Sequence, residues 1–100
     1  MNLRLRNDWE YAGDEWWKWG AFIDGSDQDL DAVESVEYVL HPSFANPIRK
    51  VSDRLTKFRM ETAGWGTFVL RARAFLKDGS VVKLQHEIHL KSEPRRGTTP

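Results

Sequence analysis

Apolar and polar residues alternate one by one through most of this chain, and no window keeps helical spacing over the length of an ordinary helix. That pattern restricts the fold to β-strands. In the first stretch Leu3, Leu5, Trp9 and Tyr11 share one parity while Asn2, Arg4, Arg6, Asp8 and Glu10 share the other. After Gly13, Trp17, Trp19, Ala21 and Ile23 form one face and Trp16, Gly20 and Phe22 the opposite one, so both faces are covered and the strand is central. A third strand from about Val33 to Leu40 points Val36, Tyr38 and Leu40 inward; Ile48 to Val51 pairs briefly, and Lys57 to Glu61 alternates again. Phe68, Leu70, Ala72, Ala74 and Leu76 then face Val82, Leu84, His86, Ile88 and Leu90 across a tight turn at Asp78-Gly79. The expected class is all-β, an immunoglobulin-like antiparallel β-sandwich of seven to eight strands, with its site on loops gathered at one end.

At 100 residues the chain makes one domain, expected over 1–92, with 93–100 as a flexible tail or linker rich in Pro, Gly and charge. Fifteen basic and fifteen acidic residues cancel, which removes the bulk electrostatic case for nucleic acid or an anionic membrane. There is no cysteine, so disulfides and thiolate metal sites are excluded. The amino terminus has no apolar core like that of a signal peptide, and no apolar run approaches bilayer length. A cytoplasmic protein without direct membrane insertion is expected, one that can be tethered through fusion to other modules in a longer chain.

Two loops carry chemistry that a connector does not need. Leu40 to Pro47 ends a strand and is stopped by Pro42 and Pro47, which lack an N–H for a ladder. Between the prolines it presents an imidazole, a hydroxyl and a large ring. Gly64-Trp65-Gly66 holds an indole between two residues that permit left-handed backbone or close approach. His41 and Ser43 have the types of a base and a nucleophile, but neither a placed acid nor an oxyanion motif accompanies them, so no enzyme is expected. Trp9, Trp16, Trp17 and Trp19 read as core and edge packing. His86 and His89 fall on opposite faces of a strand, which argues against a shared metal, and no cofactor is expected. Asp24 to Asp31 reads as a solvated acidic loop.

With these residues in view, the chain resembles a YEATS domain, most closely the prokaryotic ones. The resemblance rests on Trp19-Gly20-Ala21-Phe22-Ile23-Asp24-Gly25, on Val36 through Arg49 with its His41-Pro42-Ser43-Phe44 core, and on Gly64-Trp65-Gly66-Thr67-Phe68, in the family's order and spacing. It spans roughly Trp16 to Leu90. It implies an immunoglobulin-like sandwich that reads acylated lysine, of acetyl or crotonyl type, in an aromatic channel. By the same resemblance Phe44 and Trp65 sandwich the acyl amide, Phe22 is a third ring, and Ser43 hydrogen-bonds the amide. His41 orients that serine, and the Trp65 backbone N–H, between Gly64 and Gly66, meets the acyl carbonyl. Gln85 and Glu87 lie near the position of an acidic peptide contact. The implied partner is an acylated-lysine protein or peptide, or else a small acyl ligand.

An acylated lysine is neutral and planar, so two rings can stack on its amide, each adding about 0.5–1.5 kcal/mol beyond area burial. Two hydrogen bonds add about 1 kcal/mol each. Against association costs the net is weak, on the order of micromolar to millimolar. Three rivals use the same residue types: a methyl-lysine cage, a carbohydrate-binding sandwich, and a purely structural domain. A hydroxyl and an amide donor suit a carbonyl better than a cation.

Overall fold

In the computed structural model, which describes residues 1–90 and the backbone of Gly97–Thr98, the alternating stretches become eight strands in two four-stranded sheets. They are β1 (Arg4–Gly13), β2 (Trp16–Asp24), β3 (Val33–Val39), β4 (Ile48–Val51), β5 (Met60–Gly64), β6 (Val69–Leu76), β7 (Val81–Glu87) and β8 (Gly97–Thr98). One sheet has the order β5-β2-β1-β8 and the other β4-β3-β6-β7, with every pairing antiparallel. This is the all-β sandwich that the alternation requires. The 93–100 tail expected from composition lies outside the described residues except for Gly97 and Thr98, which pair with Trp9 and Asp8.

The inward parities are those read from the sequence. Leu5, Trp9, Trp19, Ala21 and Ile23 from one sheet meet Val36, Tyr38, Leu70, Ala72 and Ala74 from the other, all buried. Period two is what lets each strand contribute only alternate residues to this layer. Asn7 is the exception on the inward face of β1, fully buried between Leu5 and Trp9. Its side chain is satisfied from the far edge: Oδ1 accepts from His86 Nε2 (2.9 Å) and the His89 N–H (3.1 Å), and Nδ2 donates to the His89 carbonyl (2.9 Å).

Three sequence expectations need correction. His86 and His89 do not point apart: β7 ends at Glu87, the chain leaves the ladder, and the two imidazoles stack with centroids 5.4 Å apart at 13°. Burial, then the neighbouring His89 and Arg6, hold the His86 pKa below its ordinary value. Lys57 to Glu61 is not strand from its start. Arg54–Thr56 is a 3-10 turn capped by Asp53, and Lys57 and Phe58 both take left-handed backbone (φ 58° each) before β5 begins at Met60. Phe58 tolerates that strain because it is fully buried, its N–H donates to Asp53 O (2.8 Å), and its carbonyl accepts from the buried Tyr38 hydroxyl. The acidic loop contains one helical turn, α1 (Asp27–Asp31), whose N-cap Ser26 accepts from the Asp29 N–H. No helix among the described residues is long and apolar enough to cross a membrane.

Candidate functional site

Antiparallel order sends alternate connections to the same end of a sandwich. The β1–β2 turn, the 40–47 connection, the 65–68 connection and the segment after β7 therefore gather at one end. There they enclose a half-open cavity of about 460 Å³ lined by Trp16, His41, Ser43, Phe44, Ala45, Ala63, Gly64, Trp65, Gly66, Thr67 and Phe68. Six of the seven sequence-predicted site residues are among them.

The 41–47 loop is a built wall. Leu40 N–H donates to Pro47 O (2.7 Å) and closes its base, and Phe44 N–H donates to His41 O (3.0 Å) within it. Asn46 takes left-handed backbone (φ 50°), a conformation Asn accepts better than most residues. Arg49 then ties the loop down from β4, its guanidinium donating to Asn46 O (3.1 Å) and Ala45 O (3.0 Å) while lying 6.0 Å from the Phe44 ring centroid. Phe44 packs edge-on against the buried Trp19 (6.3 Å, 87°) and against Phe68 (5.6 Å). The Trp19 indole N–H has no hydrogen-bond partner among the described residues.

The His41–Ser43 pair is ordered by its own backbone. Ser43 N–H donates to His41 Nδ1 (3.1 Å), so that nitrogen carries the lone pair and the imidazole proton sits on Nε2. The 2.8 Å contact between Ser43 Oγ and the same Nδ1 is then an O–H donated to the ring. This leaves the Oγ lone pairs available to accept an N–H.

The 65–68 connection adds Trp65 to the lining, 74% exposed and in no ring contact with Phe44. Neither flanking glycine has positive φ; a Cβ on Gly64 would touch Phe44 Cζ at 3.4 Å, and Gly66 faces open space.

Phe22 is not part of this cavity. It lies on the outward parity of β2, opposite Arg6 and toward the far end of the strand, while Trp19, three residues earlier, faces in. A run with rings on both parities hides which end each ring reaches. The additional rings lining the cavity are Trp16 (45% exposed), delivered by the β1–β2 turn, and Phe68, which contacts Trp19, His41 and Phe44. The sequence reading assigned both to packing; Trp16's position directly after the Gly13-Asp14-Glu15 turn was the available signal.

No lining residue carries a fixed charge, and His41 is the one titratable group among them. Among the described residues no cluster of three or more His, Cys, Asp or Glu can hold a metal. The lining thus offers flat apolar faces, one oriented hydroxyl acceptor and the backbone N–H of a glycine-flanked loop. It can hold a neutral, planar polar group and offers an ion no opposite formal charge, only the ring faces that attract cations.

Comparison with known proteins bears on the family and the fold. Over 70 residues, 69% of this chain and 28% of the relative, the sequence is 33% identical to transcription initiation factor TFIID subunit 14 of Schizosaccharomyces pombe. The fold matches the yeast Yaf9 YEATS domain bound to H3K27ac with a TM-score of 0.76 at 19% identity, covering 98% of this chain and 79% of that one. The Yaf9 YEATS domain recognising an H3K122suc peptide matches at 0.66 and 19% identity, over 98% and 80% of the two chains. At such identities these likenesses establish the sandwich rather than its ligand. The family model of the prokaryotic YEATS domain matches residues 17–89, from the start of β2 past the end of β7, and the chain belongs to that family.

Proposed function

We propose that this domain is an acyl-lysine reader that binds acetyl- or crotonyl-type lysine between Phe44 and Trp65 without turning it over. The observation that carries the reading is the uncharged lining: two aromatic walls from separate loops, with a hydroxyl whose proton is already committed to His41. An acyl amide slid between the rings gives its N–H to Ser43 Oγ and takes a donor from the Trp65 backbone. A planar group stacked on both sides needs the rings apart by about 7–8 Å, twice an optimal carbon contact. The absence of direct Phe44–Trp65 ring contact is compatible with such a slot. An unmodified lysine ammonium brings no acceptor and is costly to desolvate.

The Yaf9 domain's acetylated and succinylated histone ligands support an acylated peptide as the partner class. Turnover is disfavoured because, although Ser43 and His41 are hydrogen-bonded, no carboxylate among the described residues orients the ring as a catalytic base. A flat glycan platform is disfavoured because Trp9 and Trp19 are buried rather than aligned on a surface. The test is calorimetric titration of one peptide carrying lysine in its acetyl, crotonyl, trimethyl and unmodified forms. Acyl forms should bind on the order of micromolar to millimolar and the unmodified form not at all; preference for the trimethyl form overturns the reading.

A further inference from the structure

We propose that the outer face of the β4-β3-β6-β7 sheet is a second binding surface, for an acidic polypeptide segment interspersed with apolar residues. The two sheets treat their outward cations differently. On the β5-β2-β1 face Arg59 is clamped by Asp8 (2.6 Å) and Glu61 (3.0 Å), lying over Gly20 where a Cβ would clash at 2.4 Å, and Arg6 pairs with Asp24 (2.9 Å). With Arg4 and Lys18, the four cations of that face are matched in number by Asp8, Glu10, Asp24 and Glu61. The other face carries Lys50, Arg71, Arg73 and Lys83 across its strands, against Glu37 and Glu87. Arg73 pairs with Glu37 and Lys50 lies over Phe75, but Arg71 and Lys83 have no ion-pair partner among the described residues.

Arg73 and Lys83 stand directly opposite each other in the β6–β7 register. Like charges in that position repel across about 5 Å and gain when an anion comes between them. A shallow groove of about 510 Å³ runs over this spot, bounded by Arg71, Arg73, Lys83, Gln85 and Val39. The same face continues toward the loop end through Ile48 (60% exposed) and Val69 (49% exposed), which adjoin Val39 and Arg71 in the ladder or along the strand. Carboxylates suit the cations, and apolar side chains suit Ile48, Val39 and Val69. A phosphate backbone fits less well, since Glu37 and Glu87 stand within the face and the apolar positions gain nothing from it.

This surface is separate from the aromatic site and stands whether or not that site takes acyl-lysine. The test uses a short fluorescent peptide of alternating Glu and Leu, titrated with the full chain by anisotropy at low salt. Saturable binding is expected, weakened at least about tenfold in Arg71→Glu/Lys83→Glu and by added salt. Trp65→Ala should bind the peptide as the unaltered chain does, and amide NMR shifts should concentrate at Val39, residues 71–73 and residues 83–85. Unchanged affinity in the double variant, or tighter binding of duplex DNA than of the peptide, overturns the proposal.

Discussion

The two loops that form the cavity differ in how completely they are built before any ligand arrives. The 41–47 loop has a closed base, an internal turn, two carbonyls held by Arg49 and a ring packed on Trp19 and Phe68. The 65–68 loop offers an indole that is mostly in solvent. The 41–47 wall is rigid, its ring packed in place; in the other loop Phe68 is also anchored, by Trp19, His41 and Phe44 and by the Ile88 N–H on its carbonyl (3.0 Å), so the difference lies in the Trp65 indole alone. A packed ring avoids ordering costs on binding, and an exposed one leaves room for ligands of differing size at some loss of affinity. The contrast teaches that contact with ligand and contribution to folding are separable at this site, ring by ring.

The sharpest way to break that contrast is to truncate each ring in turn. Trp65→Ala and Phe44→Ala should both abolish measurable acyl-lysine binding, since either loss removes half of the stack and costs at least about tenfold in an already weak complex. Their effects on stability should diverge. Phe44→Ala leaves a gap beside Trp19 and Phe68 and should cost about 2 kcal/mol, whereas Trp65→Ala removes an exposed side chain and should cost about 0.5 kcal/mol or less. Thermal unfolding of the two variants checks this; equal losses would mean that Trp65 is packed in solution and that both walls are built.

Ser43→Ala probes the rigid wall without touching its ring. One hydrogen bond of about 1 kcal/mol should go, weakening acyl-lysine roughly fivefold while the acetyl-to-crotonyl ratio stays as it was. Calorimetric titration of acetyl- and crotonyl-lysine peptides against both proteins checks this: a ratio that moves in Ser43→Ala would mean that the hydroxyl also sets how the acyl group stacks.

Much of this was legible in advance, and the failures share a cause. Strand parity located the sandwich and its core because each strand obeys period two regardless of its neighbours. The Pro-bounded loop and the glycine-flanked Trp65 announced themselves through residues that serve no ladder. Phe22, Trp16 and Phe68 were assigned wrongly or incompletely because a ring's membership depends on which end of the sheet it reaches, and register carries that information where composition does not. Asn7 and the His86–His89 stack were hidden for a related reason. Their hydrogen bonds join residues about eighty positions apart, and the turn out of β7 after Glu87 has no proline or glycine to mark it.

The smallest expected effect tests what makes the rigid wall rigid. Arg49 touches no ligand-facing surface of the cavity, yet its guanidinium spans Ala45 O and Asn46 O and rests near the back of Phe44. Arg49→Ala should release those carbonyls to water and allow the loop to wander, weakening acyl-lysine about two- to threefold, within the loss of a neutral hydrogen bond. Arg49→Lys should recover little, because an ammonium cannot reproduce the planar fork that reaches two carbonyls at once. If Lys restored full affinity, charge near Phe44 would be the operative factor. If neither change mattered, the turn within 41–47 and the packing of Phe44 on Trp19 would suffice to hold the wall.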